Sequence, residues 1–185
     1  MNKKLAVIFP GIGYHVDKPL LHYSIRLAKQ YGYDIKCVDY GELPAGIKGD
    51  AGKMYEAYEQ ALSRVTEILS DIDFASFSHV LFISKSIGTA VAAFYDANEQ
   101  IGANHIYYTP VEASFQAIGT RGIVFHGTAD DWARTLVIKE ECAKRKLPLY
   151  LTEKANHSME TGNVFRDLEI LKEIMEKAEK YIRAL

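Results

Sequence analysis

The sequence has little of several features that would point to a specialised class of protein. It contains only two cysteines, Cys37 and Cys142, whose separation does not fit a metal-ligand pair. It has no apolar stretch long enough to span a bilayer, no internal repeat and no low-complexity tract. Two cysteines in a predicted strand and a predicted helix favour a reducing, cytoplasmic setting.

An excess of charge of one sign is also absent. The 22 Lys and Arg residues nearly balance the 24 Asp and Glu residues, which gives a net charge of −2, and the two signs are interspersed. Without a basic face or run, we expect neither nucleic acid nor a membrane as partner. An apolar fraction of 48% is typical of a globular protein, and residues 1–185 are predicted to form a single domain.

Strands and helices are predicted to alternate along the whole chain. The predicted strands span residues 5–9, 34–39, 79–83, 105–108, 122–126 and 148–152. The predicted helices span residues 19–31 (with Asp17 as a candidate cap), 54–69, 88–100, 132–145 and 164–185, and a Gly/Pro-rich loop spans residues 41–53. This alternation predicts an α/β fold, a doubly wound three-layer sandwich around a mainly parallel sheet of about six strands. Ligands of such sheets bind beyond the carboxyl ends of the strands.

One of these strand ends has the layout of a nucleophile elbow. The apolar strand before Ser84 gives way to a helix of small residues after Gly88, and Ser86 lies between them. A turn this tight needs small neighbours, and it lifts the Ser86 hydroxyl to the carboxyl end of the strand. It also aims the backbone N–H of Ile87 toward developing negative charge. The alternative is an ordinary turn in which Ser86 caps the helix.

Two further strand ends carry an acid and a histidine. The fifth predicted strand leads into Asp130 and Asp131, and the sixth leads into His157. A serine hydroxyl is a poor nucleophile until a base takes its proton, which a histidine does near neutral pH. A carboxylate would orient the imidazole and stabilise its charged form. The chain order is therefore serine, acid, histidine.

These motifs together resemble the α/β-hydrolase superfamily, in a small lidless form that lacks the first two strands of the full fold. The resemblance covers nearly the whole chain. Residues 84–88 (SKSIG) match the elbow except that Ser84 replaces a glycine, residues 126–130 (HGTAD) match the acid turn, and residues 155–158 (ANHS) match the histidine loop. Residues 9–13 (FPGIG) stand where the family has its oxyanion turn, with Pro10 in the position of a histidine.

The resemblance assigns roles to individual residues. It implies Ser86 as nucleophile, His157 as general base and Asp130 as the acid, with Asp131 as a helix cap or surface acid and His126 as a support of the acid turn. It implies the Ile12 N–H as the second oxyanion donor beside Ile87, with Gly13 as a substitute.

Several neighbouring residues are candidates to line the pocket. They are Gly13, Tyr14 and His15 after the oxyanion turn, Lys85 in the elbow and Trp132 after the acid turn. Each has a plainer alternative: a surface loop for Tyr14 and His15, a solvated side chain for Lys85, and packing for Trp132.

The predicted function is hydrolysis of an ester, thioester or related small-molecule acyl substrate through an acyl-enzyme, with no cofactor and no metal. Acyl transfer by the same groups and an inactive fold used only for binding are the alternatives, and the oligomeric state is left open. A metal site built from His126, Asp130, Asp131 and His157 is a rival that would leave Ser86 without a role. The connection of residues 109–121 is too short for a cap domain, which predicts an open, shallow pocket.

Overall fold

Six strands form one parallel sheet in the order β2-β1-β3-β4-β5-β6. The computed structural model describes residues 3–185, so Met1 and Asn2 of the predicted domain lie outside the described residues. The strands are β1 (Lys4–Phe9), β2 (Tyr33–Cys37), β3 (His79–Lys85), β4 (Asn104–Tyr108), β5 (Ile123–Gly127) and β6 (Leu149–Thr152). The helices are α1 (Pro19–Gln30), α2 (Ala51–Leu69), α3 (Ile87–Glu99), α4 (Thr135–Arg145) and α5 (Val164–Arg183).

Helices cover both faces of the sheet. Along β1, Ala6 and Ile8 pack with residues of α1 and α5, whereas Leu5, Val7 and Phe9 pack with α2 and α3. Both faces of a strand must therefore be apolar, which explains why the strands read as continuous apolar runs rather than alternating ones. The predicted three-layer parallel architecture is confirmed. No helix among residues 3–185 is long and apolar enough to cross a membrane.

One predicted helix cap was wrong, and two predicted helix starts were wrong by three residues. The α1 N-cap is Lys18, with no side-chain bond, rather than Asp17. Helix α2 begins at Ala51, three residues early, because the Asp50 side chain caps it by accepting from the Lys53 N–H. Helix α4 begins at Thr135 rather than at residue 132, because the N–H of Trp132 is bound by the Asp130 carboxylate in the preceding turn.

The sheet has its topological switch point between β1 and β3. The chain leaves β1 for the edge strand β2 on one side, and continues from β3 to β4, β5 and β6 on the other. The loops that follow β1 and β3 therefore diverge and leave a crevice beyond the strand ends. Ser86 follows β3 directly, at the mouth of this crevice.

The start of α3 lies against the end of β1 with no room for a side chain. A Cβ atom added to Gly88 would lie 2.4 Å from the carbonyl oxygen of Pro10 and 2.5 Å from that of Phe9. Both are backbone atoms, which cannot turn aside as a flexible side chain can. The glycine of the elbow is therefore required by the contact between helix and strand.

Gly88→Ala should lower the free energy of unfolding by about 1–3 kcal/mol, the usual cost of overpacking a rigid site. Urea unfolding followed by circular dichroism measures this. Gly119→Ala is the matched control, because a Cβ at Gly119 meets no atom within 4 Å and its backbone is not in the left-handed region. Equal midpoints for the two variants would contradict the assigned role of Gly88.

Candidate active site

The backbone of Ser86 adopts a conformation that residues with a side chain rarely take. Its φ is 56° and its ψ is −124°, which costs on the order of 1–3 kcal/mol and persists only where the surroundings enforce it. The Ser86 N–H donates to the Tyr108 carbonyl at 3.0 Å, and the Ser86 carbonyl accepts from the N–H and the hydroxyl of Thr89 at 2.9 and 2.6 Å. Ser86 makes no side-chain cap of α3, so its hydroxyl is free for the crevice.

The elbow tolerates serine in place of its first glycine. Ser84 is fully buried within β3, and its hydroxyl donates to the Ile106 carbonyl at 3.4 Å, so the added polar atom has a partner. Gly11, in the loop after β1, lies close to Ser86, because a Cβ added to it would lie 3.1 Å from the Ser86 Cβ. The departure at Ser84 therefore leaves the turn intact.

The hydroxyl of Ser86, the imidazole of His157 and the carboxylate of Asp130 form one chain of hydrogen bonds. The Ser86 Oγ lies 2.8 Å from His157 Nε2, and His157 Nδ1 lies 2.8 and 2.9 Å from the two Asp130 oxygens. Because an ionised carboxylate only accepts, Nδ1 carries the proton and Nε2 accepts from the Ser86 hydroxyl. The structure thus brings together the three side chains that the sequence placed at separate strand ends.

Close contact between two loops carries Asp130 to His157. A Cβ on Gly127, at the end of β5, would lie 2.2 Å from the Ala155 carbonyl oxygen, so only glycine allows the loops after β5 and β6 to touch. The Asn156 side chain then closes the turn around His157 by accepting from the N–H groups of Ser158 and Glu160 at 2.8 and 3.1 Å.

Burial and charge set the protonation of the pair. Burial alone would raise the pKa of Asp130, but the hydrogen bond and charge of His157 outweigh it and lower that pKa. Burial lowers the pKa of His157 below its ordinary 6.5, opposed by Asp130 and assisted by the positive charge of Lys85. His157 is therefore neutral at pH 7, as a base must be.

Asp131 and His126 lie in different settings from Asp130. Asp131 is exposed and forms an ion pair with Lys48 rather than with His157. It does not cap a helix, since Arg134 occupies that position of α4. His126 is fully buried beneath the acid turn, where its Nε2 lies 3.0 Å from the Thr135 hydroxyl and its Nδ1 lies 3.6 Å from Asp130.

The turn after β1 follows Pro10 and is closed by backbone hydrogen bonds. Gly11 and Tyr14 exchange backbone hydrogen bonds of 3.1 and 3.2 Å, and Gly13 at the third position has a φ of 70°, as a type II turn requires. Ile12 and Ile87, the residues expected to donate to an oxyanion, both line the cavity that contains Ser86.

This cavity has a volume of about 290 Å³ and receives most of the predicted lining residues. Trp132 stacks on the His157 ring, with 5.5 Å between ring centroids. His15 does not line the cavity and is exposed, because the chain turns outward after the buried Tyr14. The lining residues are Ile12, Gly13, Tyr14, Ile47, Met54, Lys85, Ser86, Ile87, Trp132, His157 and Ser158.

Sequence reasoning missed Ile47, Met54 and Ser158. Ile47 belongs to the Gly/Pro-rich segment, which has no periodicity from which a contact could be read. Met54 lies in the first turn of α2, and the two residues form a wall that packs near Ile87 and Trp132. Ser158 directly follows His157 in the sequence, and this adjacency is the signal from which its place in the cavity could have been predicted.

Lys85 is not solvated, contrary to the plainer alternative. Its side chain is only 1% exposed, and its amine lies over the Tyr14 ring, 5.0 Å from the centroid. Burial lowers its pKa to about 7, although the negative charge of Asp130 opposes this shift.

Among residues 3–185, no three His, Cys, Asp or Glu side chains are grouped so that they could hold a metal ion. In particular, Asp131 is directed to Lys48 rather than to the other three members of the metal set considered above.

Comparison with known proteins shows similarity in structure rather than in sequence. No protein-family model matches the chain, and neither does any curated protein. Est1E from Butyrivibrio proteoclasticus, solved with ferulic acid bound, is similar with a TM-score of 0.70 and 11% identity, over 99% of this chain and 89% of that one. An esterase from Pyrococcus furiosus has a TM-score of 0.67 and 14% identity, over 99% and 83% of the two chains. A lidless α/β serine hydrolase from Xanthomonas campestris has a TM-score of 0.59 and 10% identity, over 100% and 83%. The chain therefore has the α/β-hydrolase fold.

Asp130→Asn should lower the pKa of His157 further, because Asp130 is the group that raises it most. Titration of the His157 ring by proton NMR, assigned by the loss of its signal in His157→Gln, measures this. Asp131→Asn is the control and should move the same pKa much less, since its carboxylate acts only at a distance and is paired with Lys48. Equal pKa shifts in both variants would show that Asp130 is not the acid that acts on His157.

Proposed function

We propose that this chain is a serine hydrolase that cleaves a carboxylic ester, thioester or related small-molecule acyl compound through an acyl-enzyme on Ser86. The observation that carries the proposal is the unbroken chain of hydrogen bonds from Ser86 through His157 to Asp130, built on a backbone turn that is strained at Ser86. A merely structural serine would not require that strain.

In the proposed reaction Ser86 Oγ attacks the substrate carbonyl while His157 Nε2 takes its proton. The imidazolium that forms is held by Asp130, and it then protonates the leaving group. Water, activated by the same imidazole, attacks the acyl-enzyme and regenerates the Ser86 hydroxyl. Every proton thus passes through one nitrogen, so the cycle requires no cofactor.

Backbone N–H groups are proposed to stabilise the negative oxygen of the tetrahedral intermediate. Ile87 is the first residue of α3, so its N–H has no partner within the helix and adds the positive end of the helix dipole. Ile12, in the turn after β1, lines the same cavity and supplies the second donor. Such donors are worth about 2.7–4 kcal/mol each in related chemistry.

Ester-type substrates are supported by the solved structures of similar fold, which include an esterase, Est1E with ferulic acid bound and a serine hydrolase without a lid. The cavity of about 290 Å³ fits a small acyl group. We further propose a reducing, cytoplasmic setting, because neither Cys37 nor Cys142 forms a disulfide.

Ser86→Ala should abolish labelling by a fluorophosphonate probe and reduce the turnover of phenyl acetate by several orders of magnitude, because it removes the attacking oxygen. Mass spectrometry of the labelled wild type should place the adduct on Ser86.

Ser158→Ala is the matched control for Ser86→Ala and should still be labelled on Ser86. Activity that is lost on chelation and restored by zinc, or an adduct on Ser84 or Ser158, would contradict the proposal.

Turnover should rise with pH and reach half of its plateau below pH 6.5. Only neutral His157 can take the Ser86 proton. Burial, opposed by Asp130 and Asp131 and assisted by Lys85, holds the His157 pKa below its ordinary value. The pH profile of kcat/KM for phenyl acetate reports this pKa in the free protein. A midpoint above pH 7 would contradict the assignment.

A further inference from the structure

Lys85 has a buried amine and is next to the proposed nucleophile in the sequence, and the reaction described above does not use it. It is the last residue of β3 and precedes Ser86 directly. Its side chain is 1% exposed, yet the residue lines the cavity of Ser86 and His157. The amine is therefore shielded from bulk water, and the residue that carries it borders the space in which a substrate would lie.

No carboxylate of residues 3–185 forms an ion pair with this amine. The amine lies over the face of the Tyr14 ring, 5.0 Å from its centroid, and the Tyr14 hydroxyl accepts from the Leu20 N–H at 3.2 Å. Asp130 forms no ion pair with Lys85 and acts on it only through its charge; its oxygens accept hydrogen bonds from His157 and from the Trp132 N–H. Lys85 thus lacks the counter-charge that buried lysines ordinarily have.

A buried amine without a partner is costly when charged. Burial accordingly lowers the pKa of Lys85 to about 7, so the charged and neutral forms are close in energy near neutral pH. An anion that entered the cavity would favour the charged form and supply the missing partner. An apolar side chain would fill the same space at lower cost, so the lysine is better explained by what it binds than by packing.

We propose that Lys85 is a specificity residue that binds an anionic substituent, such as a carboxylate, on the acyl substrate of this site. The inference rests on the proposed function and narrows its substrate class to small acyl compounds that carry a negative charge near the scissile carbonyl. Lys85 takes no part in bond making; it contributes charge attraction and a hydrogen-bond donor in a shielded site, where such contacts are stronger than in water.

The test compares matched ligands that differ in charge. Trp132 is the only tryptophan of the chain and forms part of the cavity wall, so its fluorescence reports binding without turnover. The Ser86→Ala protein is titrated with monomethyl adipate and with dimethyl adipate. We expect the singly charged ester to bind at least about tenfold more tightly, and Lys85→Met in the same background to remove most of that preference.

A catalytic comparison accompanies the binding test. The ratio of kcat/KM for phenyl hydrogen adipate to that for phenyl hexanoate should exceed 1 in the wild type and fall at least about tenfold in Lys85→Met. Lys4→Met is the matched control, because the Lys4 amine also lies over a tyrosine ring. Lys4 is the first residue of β1, at the end of the sheet opposite the cavity, so this variant should leave the ratio unchanged.

The outcomes separate the two proposals. Equal binding of the charged and neutral esters by the Ser86→Ala protein would overturn the role of Lys85, whether or not the Lys85 variant folds. A preference that survives in a folded Lys85→Met protein would overturn it equally. Tight binding of monomethyl adipate without hydrolysis of any ester would instead contradict the hydrolase proposal while the role of Lys85 stands.

Discussion

The site depends on a contact between backbone and backbone at the switch point of the sheet. The first turn of α3 presses on the carbonyl groups at the end of β1, and Gly88 leaves no atom between them. Because the helix cannot move away, the link from β3 to α3 must turn within a single residue, and Ser86 takes the strained conformation. The strain at the hydroxyl-bearing residue is thus maintained by the packing of the whole sheet rather than by the loop itself.

The fold and the three hydrogen-bonded side chains were predictable because they follow from local rules. Continuous apolar runs between helices predict a parallel sheet, and the carboxyl ends of parallel strands lie at one edge of the sheet regardless of loop conformation. That edge brought Ser86, Asp130 and His157 together although 71 residues separate the first from the last. Ser84 and Pro10 depart from the pattern that the sequence resembles, and the turns beside them are built on close backbone contacts at Gly11 and Gly88 and on the positive φ of Gly13.

Features set by tertiary contact were not predictable. The cavity wall at Ile47 comes from a segment without periodicity, and nothing in the sequence indicates which way such a segment folds. In the sequence, Lys85 cannot be told from a surface lysine, and only the structure shows that it is buried, with its amine over the Tyr14 ring. His15 illustrates the reverse error, since it adjoins a lining residue but lies on the other side of the turn. The direction of a side chain in a loop can therefore be determined only from the structure.

The wall formed by Ile47 has a consequence for how the protein could diversify. It belongs to the connection between an edge strand and α2, whereas the hydrogen-bonded side chains stand on the loops after β3, β5 and β6. A change at Ile47 would reshape the cavity, because Ile47 packs in one cluster with Ile87 and Trp132, whereas the segment contacts the loop after β5 through the exposed ion pair of Lys48 with Asp131. Part of the cavity wall therefore lies on a segment that carries none of the three hydrogen-bonded side chains, whereas Lys85, the residue proposed to select an anionic substrate, directly precedes Ser86. The shape of the cavity and its preference for charge thus depend on different parts of the chain.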